Sequence, residues 1–151
     1  MSTAGEVCSR QVITVSKECS LVDVACRMRD EHVGSVIVTD DGPAARKPIG
    51  ILTDRDIVVG VVAKALRHMD ALVAGDVMSS SLVTAIEDED LDAALARMRT
   101  FGIRRAPVID GKGKLVGLLA FDDVVAHLAQ EAGELARLIE HEQRDERTKR
   151  P

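Results

Sequence analysis

Tryptophan and tyrosine are absent, and Phe101 and Phe121 are the only aromatic residues among 151. A core must therefore be assembled from Val, Leu, Ile, Ala and Met. A row of rings on which successive bases stack, the platform of single-strand-binding proteins, is excluded. A basic excess is lacking too: 20 Lys and Arg stand against 25 Asp and Glu, a formal net charge of −5. Neutralising a phosphate backbone requires a basic surface, so a general nucleic-acid binder is excluded while a local basic pocket is not. The cysteines are few and unpatterned. Cys8, Cys19 and Cys26 form no C-x-x-C pair, leave an odd count and follow no secretory leader, so the expectation is a reduced, cytoplasmic chain with Cys26 as a small apolar residue on a helix. No apolar run approaches the roughly 20 residues of a membrane-spanning helix. A soluble protein with neither nucleic acid nor membrane as partner is expected.

What is present is a globular composition, 46% hydrophobic and 30% charged, in a length that suits one compact domain or two small ones sharing a core. The informative feature is an internal duplication. At an offset of 70, Leu21-Val22-Asp23-Val24-Ala25-Cys26-Arg27-Met28-Arg29 falls on Leu91-Asp92-Ala93-Ala94-Leu95-Ala96-Arg97-Met98-Arg99. Val38 and Asp40 then fall on Val108 and Asp110. Past the next turn the offset becomes 67, setting Gly50-Ile51-Leu52-Thr53-Asp54-Arg55-Asp56-Ile57-Val58 on Gly117-Leu118-Leu119-Ala120-Phe121-Asp122-Asp123-Val124-Val125. The three extra residues lie in the loop 41–47, where insertions are tolerated.

Each copy carries the same pattern of elements. Leu21, Val24, Ala25, Met28 and His32 make a helical stripe behind a capping-box-like start at Ser20 and Asp23; Leu91, Ala94, Leu95 and Met98 repeat it behind Asp90. Short apolar runs at 35–39 and 49–53, then at 106–109 and 115–120, read as buried strands. A second helix follows each pair, over 56–66 and from 122 onward. The predicted fold class is α/β, two helix-strand-strand-helix repeats related by a pseudo-two-fold axis. They occupy 7–73 and 74–131, bridged by residues 68–81. Residues 132–151 form a helical extension, keeping the stripe Leu135, Leu138, Ile139, Glu142 before a charged, solvated tail from Arg144. A unit of about 60 residues is marginal alone, so the repeats are expected to bury each other's sheets.

Gly-Ile-Leu-Thr-Asp-Arg-Asp at 50–56, Asp-Val-Met-Ser at 76–79 and Ile-Arg-Arg-Ala-Pro-Val-Ile-Asp at 103–110, in this order across a duplication, resemble the CBS (cystathionine β-synthase) domain family over residues 7–131. The resemblance implies a paired module with two clefts, many members of the family binding AMP, ADP, ATP or related adenosine compounds there. It also implies that two modules associate as a disc-like homodimer. In the T-x-x-D pattern the Asp accepts hydrogen bonds from both ribose hydroxyls, which matches Asp56; Thr53 then offers a hydroxyl to ribose or phosphate and Arg55 a positive charge. Thr53 and Asp56 would also cap the following helix in any case. Arg104 and Arg105 match basic residues that reach a phosphate, and Thr14, Ser35, Val36 and Ile37 match positions lining the adenine pocket. The second site, matched by Thr84, Ala106, Pro107, Val108 and Asp123, departs from the pattern. Ala120 replaces the Thr and Asp122 the Arg, and a carboxylate where phosphate approaches weakens binding. Phe121 stands beside this cleft, to close it or to plug the core.

The expected function is an adenine-nucleotide sensor that regulates a separate, unidentified protein, with no catalysis, metal or required cofactor of its own. No H-E-x-x-H, P-loop or G-x-S-x-G occurs, and His32, His68, His127 and His141 pair with no nucleophile. The alternatives are a dimeric interaction scaffold with vestigial clefts, its apolar helix Val58, Val61, Val62 and Ala65 mediating the dimer, and a stress or redox sensor for NAD or S-adenosylmethionine.

Overall fold

A computed structural model describes residues 2–40, 46–64 and 67–149. Two three-stranded sheets organise it. In the first, β1 (Thr14–Ser16) runs parallel to β2 (Ser35–Thr39), which pairs antiparallel with β3 (Pro48–Thr53). In the second, β4 (Ala85–Ile86), β5 (Arg105–Ile109) and β6 (Leu115–Ala120) repeat that order and direction. A parallel pair needs a crossover, and the helix of each repeat supplies it: α2 (Leu21–Asp30) and α5 (Leu91–Phe101). Both sheets carry a register shift at matching places, between Val38 and Thr39 and between Val108 and Ile109. The mixed α/β fold of two like halves is thus the one the duplication indicates. Strands β1 and β4, at three and two residues, were not part of that expectation because neither is long enough to show a period.

The helices follow from their caps and stripes. Ser20 accepts a bond from the Asp23 N–H at 3.1 Å, and Leu21, Val24 and Met28 are buried. Asp90 caps α5 through the Asp92 N–H at 3.1 Å, with Leu91, Ala94 and Met98 buried. His32 does not extend the first stripe. It is exposed and adopts φ 54°, past the end of α2, while the Val33 N–H closes back on the Met28 carbonyl at 3.0 Å. In the second repeat Gly102 holds the same place at φ 63°, with Ile103 bonded to Met98 at 3.0 Å. A left-handed terminator favours glycine, so His32→Gly is expected to raise stability by about 1 kcal/mol, measured by denaturant titration.

The second helix of the first repeat is not a regular helix over 56–66. It starts at the Thr53 cap as α3 (Asp54–Ile57) and continues as a π-helical segment, Val58–Val62, closed by the Ala63 N–H on the Val58 carbonyl at 2.8 Å. Four β-branched valines around Gly60 are poor α-helix formers, and the wider turn relieves their crowding. The end of the expected helix, residues 65 and 66, lies outside the described residues, as do 41–45 of the inserted loop and the last two residues of the tail. A short 3₁₀ turn, Met69–Ala71, follows. The last helix, α6 (Phe121–Lys149), begins one residue earlier than expected and runs 29 residues. It absorbs the tail from Arg144 through Lys149, whose Arg, Glu and Lys residues favour helix.

Two short helices lead the repeats and exchange places. The first, α1 (Ala4–Val7), puts Ala4 and Cys8 into the core of the second sheet, with Ala85, Leu91, Ala94, Met98, Ala106, Val108, Leu119 and Val124. The other, α4 (Ala74–Val77), puts Ala74 into the first core, with Val15, Leu21, Val24, Met28, Val36, Val38, Leu52 and Val61. The backbone repeats the exchange. Ser9 and Leu118 bond reciprocally at 3.0 and 2.9 Å, as Ile51 and Ser79 do at 3.1 and 2.9 Å. Gly117 lies so close to Cys8 and the Ser9 carbonyl, and Gly50 to Met78 and the Ser79 carbonyl, that a Cβ on either would collide with them. The sequence held this signal at the same offset of 70, in Ala-Gly-Glu-Val-Cys-Ser at 4–9 and Ala-Gly-Asp-Val-Met-Ser at 74–79.

Candidate ligand clefts

The Thr-Asp-Arg-Asp run closes β3 and opens α3 through a reciprocal capping box. Thr53 Oγ1 accepts from the Asp56 N–H at 3.1 Å, and Asp56 Oδ2 accepts from the Thr53 N–H at 2.9 Å. Both residues therefore cap the helix. The box fixes the Asp56 side chain while engaging only one of its oxygens. The box itself leaves Oδ1 of Asp56 and the hydroxyl proton of Thr53 uncommitted.

Arg55 and Asp56 stand on the wall of a cavity of about 500 Å3, with Val59, Gly60, Val61, Lys64, Leu72, Asp76 and Val77. The π-helical segment contributes three of these, which is how a run of valines becomes a cavity wall. Asp76 repeats the role of Asp56: its Oδ2 accepts from the Val73 N–H at 2.9 Å. Lys64 and Asp76 were not among the residues expected here. Asp76 could have been found, since it sits third in the lead helix of the second repeat as Glu6 does in the first; nothing in the sequence marks Lys64.

The other residues matched to the first site lie on the strands behind α3. Ser35 is the cross-strand partner of Thr53, Val36 that of Leu52, and Thr14 lies beside Ile37. Val36 and Ile37 are 1% and 0% exposed, on opposite faces of β2, so their side chains are structural floor and only their backbone borders the Thr53 end of the sheet. The Thr14 carbonyl receives Arg27 Nη1 at 2.7 Å.

Arg104 and Arg105 are set apart from this group. They line a smaller cavity, about 190 Å3, in the second repeat with Ala120, Phe121 and Asp122. Arg105 is the cross-strand partner of Ala120. Arg104 stands 5.8 Å from the centre of the Phe121 ring, and its Nη2 lies 3.6 Å from Asp122 Oδ1. Phe121 is half exposed, a cover over this cleft rather than a core plug. Asp123 is half-buried in the first turn of α6, where Ala120 has no hydroxyl to fix it. Ala106, Pro107 and Val108 are buried in β5. Thr84 matches Thr14, its carbonyl receiving Arg97 Nη1 at 2.9 Å.

The two arginines behind the clefts differ in one respect. Arg97 also pairs with Glu89 at 2.8 and 2.6 Å, and this guanidinium holds the Glu89 carboxyl below the usual carboxylate range. At the position matching Glu89 the first repeat has Cys19, whose thiol burial pushes up. The second repeat is therefore braced more firmly behind its cleft than the first. Burial also raises the Cys8 thiol, in keeping with a core residue, and Cys26 is half-buried on α2. Among the described residues no group of three or more His, Cys, Asp and Glu is placed to hold a metal ion, and no helix is long and apolar enough to cross a membrane.

Comparison with known proteins gives a consistent result. The family model of the CBS domain matches residues 4–63 and 74–130. An uncharacterized protein of Methanopyrus kandleri is 37% identical over 123 residues, 82% of this chain and 61% of that protein, so the chain spans less than two thirds of that relative. A CBS domain-containing protein of Bacillus subtilis is 30% identical across 94% of this chain and 98% of its own length. Hypoxic response protein 1 of Mycobacterium tuberculosis is 30% identical over 87% of this chain and 89% of its own. Among solved structures, a hypoxic response protein with two coordinated zinc ions superposes with a TM-score of 0.72 at 28% identity, covering 84% of this chain and 99% of that one. The CBS domain pair of protein MJ0100, in complex with 5-methylthioadenosine and S-adenosyl-L-methionine, has a TM-score of 0.74 at 22% identity, covering 86% and 98%.

Proposed function

This chain belongs to the CBS domain family, and on that footing we propose that it is an adenosine-ligand sensor that regulates a separate protein and catalyses nothing itself. The ligand is of the AMP, ADP or ATP class, held in the first-repeat cleft around Thr53, Arg55 and Asp56. One observation carries the reading: a carboxylate pinned by a backbone hydrogen bond, with an oxygen to spare, on the wall of a cavity of about 500 Å3 that also presents Arg55 and Lys64. A fixed carboxylate suits ribose hydroxyls and the two cations suit phosphate. The adenosine compounds bound by the MJ0100 domain pair support the nucleoside part. In the second repeat Arg104 already faces Asp122, so a phosphorylated ligand gains less there.

A thermal-shift panel of AMP, ADP, ATP, NAD and S-adenosylmethionine tests the class. Ligand at 100 times its dissociation constant stabilises by about 2.7 kcal/mol, a rise of roughly 5–10 °C for a chain of this size. The adenosine phosphates are expected to give it, without product. No shift with any of them, and no nucleotide released on denaturing the purified protein, leaves an interaction scaffold with vestigial clefts. A shift with NAD or S-adenosylmethionine alone moves the assignment to those ligands.

A further inference from the structure

The cavity beside the Thr53 turn is walled by charge of both signs. Arg55 and Lys64 bring two cations to it, Asp56 and Asp76 two carboxylates, and among the described residues none of the four forms an ion pair. The charges balance across the cavity, not within contacts. Asp56 has a task in the reading above, the ribose hydroxyls, and the cations have theirs, the phosphate. Asp76 has none. It is the third residue of α4 and exposed, with Oδ2 held by the Val73 N–H at 2.9 Å. Its helix packs against the middle of the π-helical segment, Val77 Cγ1 lying 4.0 Å from where a Cβ on Gly60 would stand. Arg55 and Lys64 flank that segment along the chain, so a phosphate drawn to them enters a space that Asp76 also faces.

We infer that Asp76 sets the charge of the ligand, so that the first cleft prefers adenosine monophosphate to the triphosphate. The inference rests on the sensor reading and narrows its ligand. A phosphomonoester carries about two negative charges near neutral pH, so AMP carries about two and ATP about four. Two ligand charges match the two cations of the wall. Each further phosphate meets a carboxylate that has no proton to donate to it, and like charges in one cavity repel. A rounded cavity of about 500 Å3 is roughly 10 Å across, close to the Debye length of about 8 Å at physiological ionic strength, so salt screens the repulsion only in part. At that range one carboxylate acting on two extra charges changes affinity by about tenfold. Asp76 also caps α4, as Glu6 caps α1 with its carboxylate on the Thr3 N–H at 2.8 Å. The cap and the charge are separable, because an amide oxygen serves the first and not the second.

Calorimetric titration of the full chain with AMP and with ATP tests this, in EDTA so that no Mg2+ neutralises the triphosphate. The wild-type chain is expected to bind AMP about tenfold more tightly than ATP. In Asp76→Asn the amide oxygen still accepts the Val73 N–H, so the melting temperature without ligand should hold. The ratio of the ATP to the AMP dissociation constant should fall about tenfold, chiefly through tighter ATP. Lys64→Gln should move the ratio the opposite way. Equal affinity of the wild type for the two nucleotides, a preference for ATP, or an Asp76→Asn ratio equal to that of the wild type overturns the inference and leaves the sensor reading standing. Binding of neither nucleotide overturns both.

Discussion

A chain starting at residue 10 is expected to melt about 10 °C or more below the full one, or to fail to fold its second half. The segment lost looks like a dispensable lead, nine residues ahead of the first sheet. Its partners lie 80 residues and more away. Ala4 is fully buried in the second core and Cys8 nearly so. The backbone bonds Ala4 to Glu89 at 3.0 Å, Gly5 to Glu87 at 2.9 Å, Leu91 to Ser2 at 3.0 Å and the reciprocal pair of Ser9 and Leu118 all go with it. At about 1 kcal/mol for each hydrogen bond, plus the apolar area re-exposed, the loss exceeds about 4 kcal/mol. A chain of this length loses about 2–4 °C per kcal/mol. Differential scanning calorimetry of the two chains reads it directly. A shift within 2 °C would mean that the exchanged lead segments are surface decoration.

The second large effect concerns ligand rather than fold. Asp56→Ala should abolish the nucleotide-induced thermal shift, while Asp123→Ala should leave it nearly unchanged. Two charge-assisted hydrogen bonds to ribose hydroxyls are worth about 3 kcal/mol together, roughly a hundredfold in affinity. The alanine also removes the box with Thr53, costing about 1 kcal/mol of stability, so binding and folding need separating. Asp56→Asn does this. Its amide oxygen still accepts from the Thr53 N–H, preserving the melting temperature, whereas the lost charge weakens the ribose contact. Asp123 has no capping hydroxyl at residue 120 and follows the Asp122 carboxylate directly, so the same change there removes little.

Much of the fold was legible because it occurs twice. The stripes Leu21-Val24-Met28 and Leu91-Ala94-Met98 and the four longer strands declare themselves by period, and the duplication corroborates each. What was not legible is what period cannot carry. Strands β1 and β4 are too short to alternate. The π-helical turn arises from crowding among Val58, Val59, Val61 and Val62, not from any spacing. His32 fits an apolar stripe on paper, but the chain turns left-handed there, as the glycine at its counterpart, Gly102, signals. For the clefts, a local motif found what is local: Thr53, Arg55 and Asp56 share one short turn. Lys64 arrives from a distorted helix and Asp76 from the lead segment of the other repeat. Arg104 and Arg105 line the second cleft, because strand β5 delivers them to its own sheet and to Asp122 and Phe121.

Calorimetric titration of the full chain with AMP or ATP, repeated on Asp56→Ala and Asp123→Ala, bears most directly on unequal clefts in a paired module. One site per chain is predicted, lost with Asp56 and kept without Asp123. Two equivalent sites per chain, or equal losses in the two variants, would contradict it.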